Sequence, residues 1–426
     1  MSQLLRIRSV TALILFAVCT FTARGEWSRP HAGAGNNPLQ PIPAQLTNVN
    51  AAPLWGAVSL NLPGGATPTI LPPYVFHPVH DAATTRVTVV ALNAETGGVF
   101  WESDPLDVDN TINYLSATST AVDPETRALY FASGNTVYRL DADTGSIVWA
   151  TELTAANTTP GLSSYEIINS SPQLGNGMVF IETFGGFVIA NKQLVALDQT
   201  DGSIEWFVND VGPGTSTPAY VESGADKRVY SVGDLVVRCY DADDGSLIWD
   251  SLSASPSWAT SYSISCSPVV EAGRLFVGSL DFFNDETALY CADAATGALL
   301  WQETAPTTDC PPLVIGDRVF VYGGLTKGTL ASFAVADGTP GFSKEIFTGY
   351  VFRDYPAAAE DAIYLCGGGD LVVLDPADGS ELSRKSAGFF GPVCVDSAGG
   401  VYAHNTGALE AYGITVPVEL SEFTMN

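Results

Sequence analysis

Apolar residues in this chain fall in short runs that alternate with polar positions and stop at turn residues, repeatedly, through most of its 426 residues. LDADTGSIVW (140–149) shows the unit: an apolar run ending at Leu140, a polar knot closed by Gly145, and a second run ending in Trp149. The same unit ends at Trp101, Trp206, Trp249 and Trp301, and two worn copies surround Gly338 and Gly379. Alternation on both sides of a glycine-bearing turn predicts a β-hairpin for each copy. The Asp141 carboxylate can accept backbone N–H groups inside the turn, and Gly145 supplies the left-handed conformation of a type I turn with a bulge. A helix start at Asp-x-x-Thr is the competing reading. It fails because glycine follows at once and the next residues alternate instead of recurring at about 3.6.

The turn glycines, Gly97, Gly145, Gly202, Gly245, Gly297, Gly338 and Gly379, stand 41 to 57 residues apart. That spacing holds four short strands with their turns, which is one blade of a propeller. Ahead of most hairpins a strand opens on a small residue and proline, as in SSPQL (170–174), STPAY (216–220) and CSPVV (266–270). Proline at the start of an edge strand removes no ladder bond, which suits the innermost strand beside a channel. A second apolar strand follows each, from YVFH (74–77) to VYAHN (401–405), and these make eight. The eighth unit has three strands and stops near Gly413. APLWGAV (52–58), with Trp55 in the tryptophan place, supplies the missing outer strand. Closing a ring with strands from both ends removes its free edges. The pattern therefore predicts an all-β, eight-bladed propeller of four-stranded antiparallel blades over residues 51–413. A lead segment (26–50) precedes it and a tail (414–426) follows.

Composition adds the setting. Arg6 and Arg8 precede an apolar run over 10–19, and Ala23-Arg24-Gly25 offers small residues at cleavage positions, so 1–25 reads as a secretory signal peptide. Val18 ahead of Cys19 does not suit a lipidation site, which points to a soluble secreted or periplasmic protein. No later stretch is long and apolar enough for a membrane-spanning helix. With 46 acidic against 18 basic side chains the formal charge is −28, which repels nucleic acid and anionic lipid and keeps an exported monomer soluble. Cys239, Cys266, Cys291, Cys310, Cys366 and Cys394 remain after the signal peptide; their even number permits disulfides without choosing a pairing, and no CxxC suggests redox or zinc chemistry.

The recurring A-L-D-x-x-T-G-x-x-x-W resembles the repeat of the pyrroloquinoline-quinone-type propellers with tryptophan-docking blades, over roughly residues 51–413. The resemblance implies that Trp55, Trp101, Trp149, Trp206, Trp249 and Trp301 pack between neighbouring blades, with Phe342 and Leu382 or nearby residues standing in for blades six and seven. It also raises a quinone-dependent dehydrogenase, whose cofactor site has a vicinal disulfide and a calcium ion. This chain has no Cys-Cys pair and lacks the insertions that build a quinone pocket, so no cofactor residue is carried over. It is closer to non-catalytic members such as the propeller subunit of the outer-membrane assembly machinery.

Other catalytic signals are thin. HPVHD (77–81) offers His77 and His80, and His404 ends the equivalent strand of the neighbouring eighth blade, as candidate metal ligands, but the spacing is not a helical zinc motif. DADDG (241–245) lacks the alternating oxygens of a calcium loop, and neither GxSxG nor a phosphate-binding glycine loop occurs. Binding remains. Strand direction gathers the long connections on one face, with Tyr114, Tyr165, Trp258, Tyr262, Phe282, Phe283, Asp285, Tyr350, Arg353 and Asp354 as its candidate contact residues. The sequence is read as a non-catalytic scaffold, needing no cofactor, that recognises a protein or extracellular polymer on that face. The alternatives are a quinone- and calcium-dependent oxidoreductase, and a propeller lyase or hydrolase.

Overall fold

The computed structural model describes residue 32 and residues 35–58, 66–81, 86–106, 118–154, 167–168, 170–184, 193–209, 216–233, 235–260, 264–281, 286–351, 354–406 and 408–413. The expected signal peptide and the 414–426 tail lie outside them. Among the described residues the regular structure is entirely β. Six separate sheets form blades one to six, and one seven-stranded sheet carries the last two. Blade two shows the pattern: Ala121–Asp123, Ala128–Ser133, Thr136–Asp141 and Ile147–Glu152 pair in sequence order, all antiparallel. Its second strand is buried throughout while the outer strand is largely exposed. Burial therefore falls from the middle of each blade to its rim, and the periodicity of the sequence follows that gradient.

The ring closes as the sequence predicts. Trp55–Val58 pairs antiparallel with Ala408–Tyr412, Trp55 opposite Ala411 and Val58 opposite Ala408. Blades seven and eight are also fused in a way that the repeat does not announce. The single strand Glu381–Val395 is the outer strand of blade seven, against Gly369–Leu374, and then the inner strand of blade eight, against Val401–Asn405. The chain turns the corner at Gly388 and Gly391, both at positive φ (79° and 75°), where the ladder shifts register between Phe390 and Val393. Glycine is needed there because a side chain at that φ is strained.

Each seam between blades is built from one indole and one turn. Trp55, Trp101, Trp149, Trp206, Trp249 and Trp301 donate their Nε1–H to the carbonyls of Ala94, Ala142, Gln199, Ala242, Ala294 and Val335 of the next blade, at 2.8–3.2 Å. The ring then lies over the turn glycine: a Cβ on Gly245 would stand 2.6 Å from Trp206, and one on Gly297 2.5 Å from Trp249. The glycines therefore serve twice, supplying the left-handed turn and making room for the indole. Phe342 fills the same place over Gly379. Leu382 does not: it is 42% exposed, and the position in register with the tryptophans is Ser383, which is buried. Blade eight has no covalent turn from its third to its outer strand, so blade seven has no glycine to dock on.

A segment that the repeat leaves unexplained takes over there. Residues 35–49 run from the channel along the tight-turn face under blades five to eight. Asn36, in the left-handed region (φ 60°) that Asn tolerates better than most residues, donates Nδ2–H to the carbonyls of Thr217 and Pro268 and accepts from Gln173 Nε2. Val270 N–H donates to Gly35 O, Asn37 clasps Val314 through both amide atoms, and Leu39 bridges Ala358. Tyr364 Oη donates to Leu46 O, and Val49, wholly buried, donates its N–H to Ser383 Oγ. The strap thus plugs the missing dock of blade seven. All six cysteines of the described residues are free and buried, so no disulfide supports the ring.

Candidate functional site

The small residue and proline that open the inner strands have a physical role. Ser119 Oγ accepts the backbone N–H of Thr67, Ser171 Oγ that of Ser119, Thr217 Oγ1 that of Ser171, and Ser267 Oγ that of Thr217. A belt of buried hydroxyls thereby joins the inner strands of blades one to five around the channel. It stops where CPPL (310–313) brings Pro311 and Pro312 into blade six, residues with neither hydroxyl nor N–H.

The belt lies beneath the face that carries the long connections. Of the residues assigned to that face from sequence, Tyr114, Tyr165, Tyr262, Phe282, Phe283, Asp285 and Arg353 fall outside the described residues, as does the side chain of His80. Tyr350 is 44% exposed there. Its connection is short, because the strand Pro340–Thr348 ends only two residues before it. Asp354 is half-buried and accepts the backbone N–H of Gly391 at the bend into blade eight, an architectural contact. Trp258 corrects the sequence reading of an exposed loop aromatic. It is 6% exposed, stacks on Tyr290 with ring centroids 5.4 Å apart, and donates Nε1–H to Gly297 O. The outer strand of blade four, Leu247–Asp250, is only four residues long, and the chain beyond it folds back into the seam instead of rising onto the face.

Two buried polar seams stand near the same end of the blades; the repeat sets His77 and His404 on equivalent strands of neighbouring blades but gives no sign of Glu182. Between blades three and four, Glu182 is fully buried; its Oε2 accepts from Ser216 Oγ at 3.0 Å, while Oε1 has no partner among the described residues. Burial is the chief cause that pushes this carboxyl up to about 8, against lowering contributions from Ser231, Ser216 and Arg238. Between blades eight and one, His77 and His404 are buried with ring centroids 4.8 Å apart. Burial depresses His77 to about 4, and burial together with His77 holds His404 well below the usual range. The glutamate is neutral in the folded ring at pH 7 and both imidazoles are neutral too.

The two seams have opposite signs in pH. An unfolded histidine takes up its proton near pH 6.5 but folded His77 only near 4, so stability from this group is full above 6.5 and lost on acidification towards 4. Glu182, raised from 4.5 to about 8, contributes stability that is full below 4.5 and lost as pH climbs to 8. Glu182→Gln keeps a neutral hydrogen-bonding group and removes the alkaline loss. Its unfolding free energy relative to the wild type should therefore rise steadily between pH 5 and 8, at up to about 1.4 kcal/mol per pH unit, with its melting temperature rising in step. A difference independent of pH in thermal unfolding would show that Glu182 is ionised in the folded ring.

No helix among the described residues is long and apolar enough to cross a membrane, and no three His, Cys, Asp or Glu side chains converge there as metal ligands. The six cysteines of the described residues are dispersed and buried, with no vicinal pair of the kind the quinone-dependent alternative implies. Comparison with known proteins gives the following. A family model described as outer membrane protein assembly factor BamB matches residues 85–235 and again 233–389. The Yersinia pestis assembly factor of that name is 26% identical over 235 residues, 52% of this chain and 53% of its own length. The dehydrogenase subunit of a quinone alcohol dehydrogenase from Gluconacetobacter polyoxogenes is 23% identical over 244 residues, 54% of this chain and 32% of its length. The chain thus spans about half or less of these curated relatives. Among solved structures, BamB from Moraxella catarrhalis superposes with TM-score 0.60 at 16% identity, covering 82% of this chain and 94% of its own. The quinohemoprotein alcohol dehydrogenase of Comamonas testosteroni does so with TM-score 0.71 at 13% identity, covering 91% and 80%. At such identities the superpositions show the fold alone.

Proposed function

The chain belongs to the family described as outer membrane protein assembly factor BamB, and from that premise we propose that it is an exported, non-catalytic scaffold in envelope assembly. It works in the bacterial periplasm and recognises a protein partner on the face of long connections. The observation that carries this reading is the asymmetry of the ring. The tight-turn face is occupied by the chain's own residues 35–49, hydrogen-bonded to blades three through seven, so a partner has the opposite face to itself. A rigid ring presents that face with little ordering cost on binding. The surplus of acidic groups favours a partner with a basic patch.

The test has two arms. Serine at Tyr262, Phe282, Phe283 and Tyr350 together should leave thermal unfolding unchanged and weaken capture of outer-membrane β-barrel assembly components from envelope extracts by about tenfold or more, since exposed aromatics are frequent anchors of binding energy. Addition of pyrroloquinoline quinone and calcium should give neither a bound-cofactor spectrum nor dye reduction with alcohols. Stoichiometric uptake with turnover would replace this reading by the oxidoreductase.

A further inference from the structure

The seam between blades three and four gathers buried polar atoms that the scaffold reading leaves idle. Glu182 lies on the second strand of blade three, Met178–Phe184, and reaches blade four, where its Oε2 accepts from Ser216 Oγ. Ser231 lies on the second strand of blade four, Asp226–Gly233, directly across the ladder from Arg238 on Val236–Asp241. Residues paired across a ladder share a face, so the Ser231 hydroxyl and the Arg238 guanidinium stand side by side, and both favour the ionised form of the Glu182 carboxyl. Glu182 and Ser231 are buried and Arg238 is half-buried. Yet Glu182 Oε1, Ser231 Oγ and Arg238 Nη1 are each enclosed without a hydrogen-bond partner among the described residues. No ion pair among the described residues includes Arg238; Asp250, opposite it on the outer strand, is engaged with Ser253 N–H and Oγ. That stands out in a chain with 46 acidic side chains against 18 basic. Buried groups left in this state are costly, and native structures fill such places with a water or an ion.

The donors choose the ion. Arg238 Nη1 and Ser231 Oγ offer hydrogens, and the neutral Glu182 carboxyl, whose Oε2 already accepts, carries its proton on Oε1. Three donors in one seam, one of them on an unpaired guanidinium, suit an anion. A cation would meet Arg238 with no formal negative charge to hold it. The enclosure of all three atoms leaves room for a small occupant only. We infer that Glu182, Ser231 and Arg238 bind one chloride ion between blades three and four. Binding makes three hydrogen bonds, releases no proton and changes no oxidation state.

Crystals of the full-length protein soaked in bromide test this directly by anomalous scattering. One peak should lie among the three side chains; an ordered water in its place, or bromide confined to the surface, overturns the inference. In solution, chloride should stabilise the fold when it replaces gluconate at constant ionic strength. Above the dissociation constant, each tenfold rise in chloride should raise the folding equilibrium constant by up to about tenfold. Ser231→Ala and Arg238→Met should each lose most of that gain. An equal chloride response in the wild type and both variants overturns the inference, and a bromide peak without any response marks binding at crystal concentration only and does the same. The gain should fade above about pH 8, where Glu182 loses its proton and repels the ion, and should persist there in Glu182→Gln. Tyr240, close to the same carboxyl, is pushed up to about 12 by burial and stays neutral over that range. Should a variant fold poorly, the bromide peak and the pH profile of the wild type decide. None of these outcomes bears on partner capture by the aromatic face, which is measured separately.

Discussion

Trp258→Ala should cost the ring about as much as Trp249→Ala, about 3–5 kcal/mol each in equilibrium urea unfolding. The two indoles converge on one turn of blade five. Trp249 donates to Ala294 O and lies over Gly297, while Trp258 donates to Gly297 O itself. Both belong to one apolar cluster with Tyr230, Tyr290 and Val277. Removing either opens a cavity in the same cluster, so the double variant should fall short of the sum of the two losses. Gly297→Ala probes the same seam from the other side. Its Cβ would press 2.5 Å from Trp249 Cε3 at a φ of +72°, so this substitution is destabilising on both counts. A Trp258→Ala protein as stable as the wild type would return that residue to the surface.

The difference between these tryptophans marks where sequence stops being informative. Trp249 stands four residues after a turn glycine, so the repeat identifies its neighbour in advance. Trp258 stands in a connection with no repeat register, and only the short outer strand before it forces the chain back into the seam. The strap is hidden for a related reason. Asn36, Asn37 and Val49 form no periodic pattern because each meets a different blade at a different height. The hydroxyl belt was half visible: Ser or Thr before proline was legible as a strand opening, but its bond to the adjacent blade requires the ring to be closed. Leu382 shows the converse. An apolar residue near the right place invites a docking role, yet without a covalent turn in blade eight there is nothing for it to cover. At the loop-rich face even that much help is missing, since exposed aromatics carry no period at all.

Deleting residues 51–58 should convert the ring into an aggregating chain. The segment supplies four paired residues to blade eight, and Leu54 N–H adds a further bond to Ala411 O. Trp55 also docks blade eight onto blade one through Ala94 O and Gly97, at the seam where the two ends of the ring meet. Without the segment, Ala408–Tyr412 becomes a free edge of five residues with alternating burial, the kind of template that pairs with other chains. The strap does not compensate. Residues 35–49 hydrogen-bond to blades three to seven, but Trp55–Val58 is what binds the outer edge of blade eight. Trp55→Ala, which keeps the strand and loses the dock, separates the two effects: it should cost about 3–5 kcal/mol and remain monomeric. In size-exclusion chromatography the deletion protein should elute as oligomers or be lost to precipitation, and far-UV spectra should still report β structure. A soluble, monomeric deletion protein with the wild-type melting temperature would mean that another segment completes blade eight.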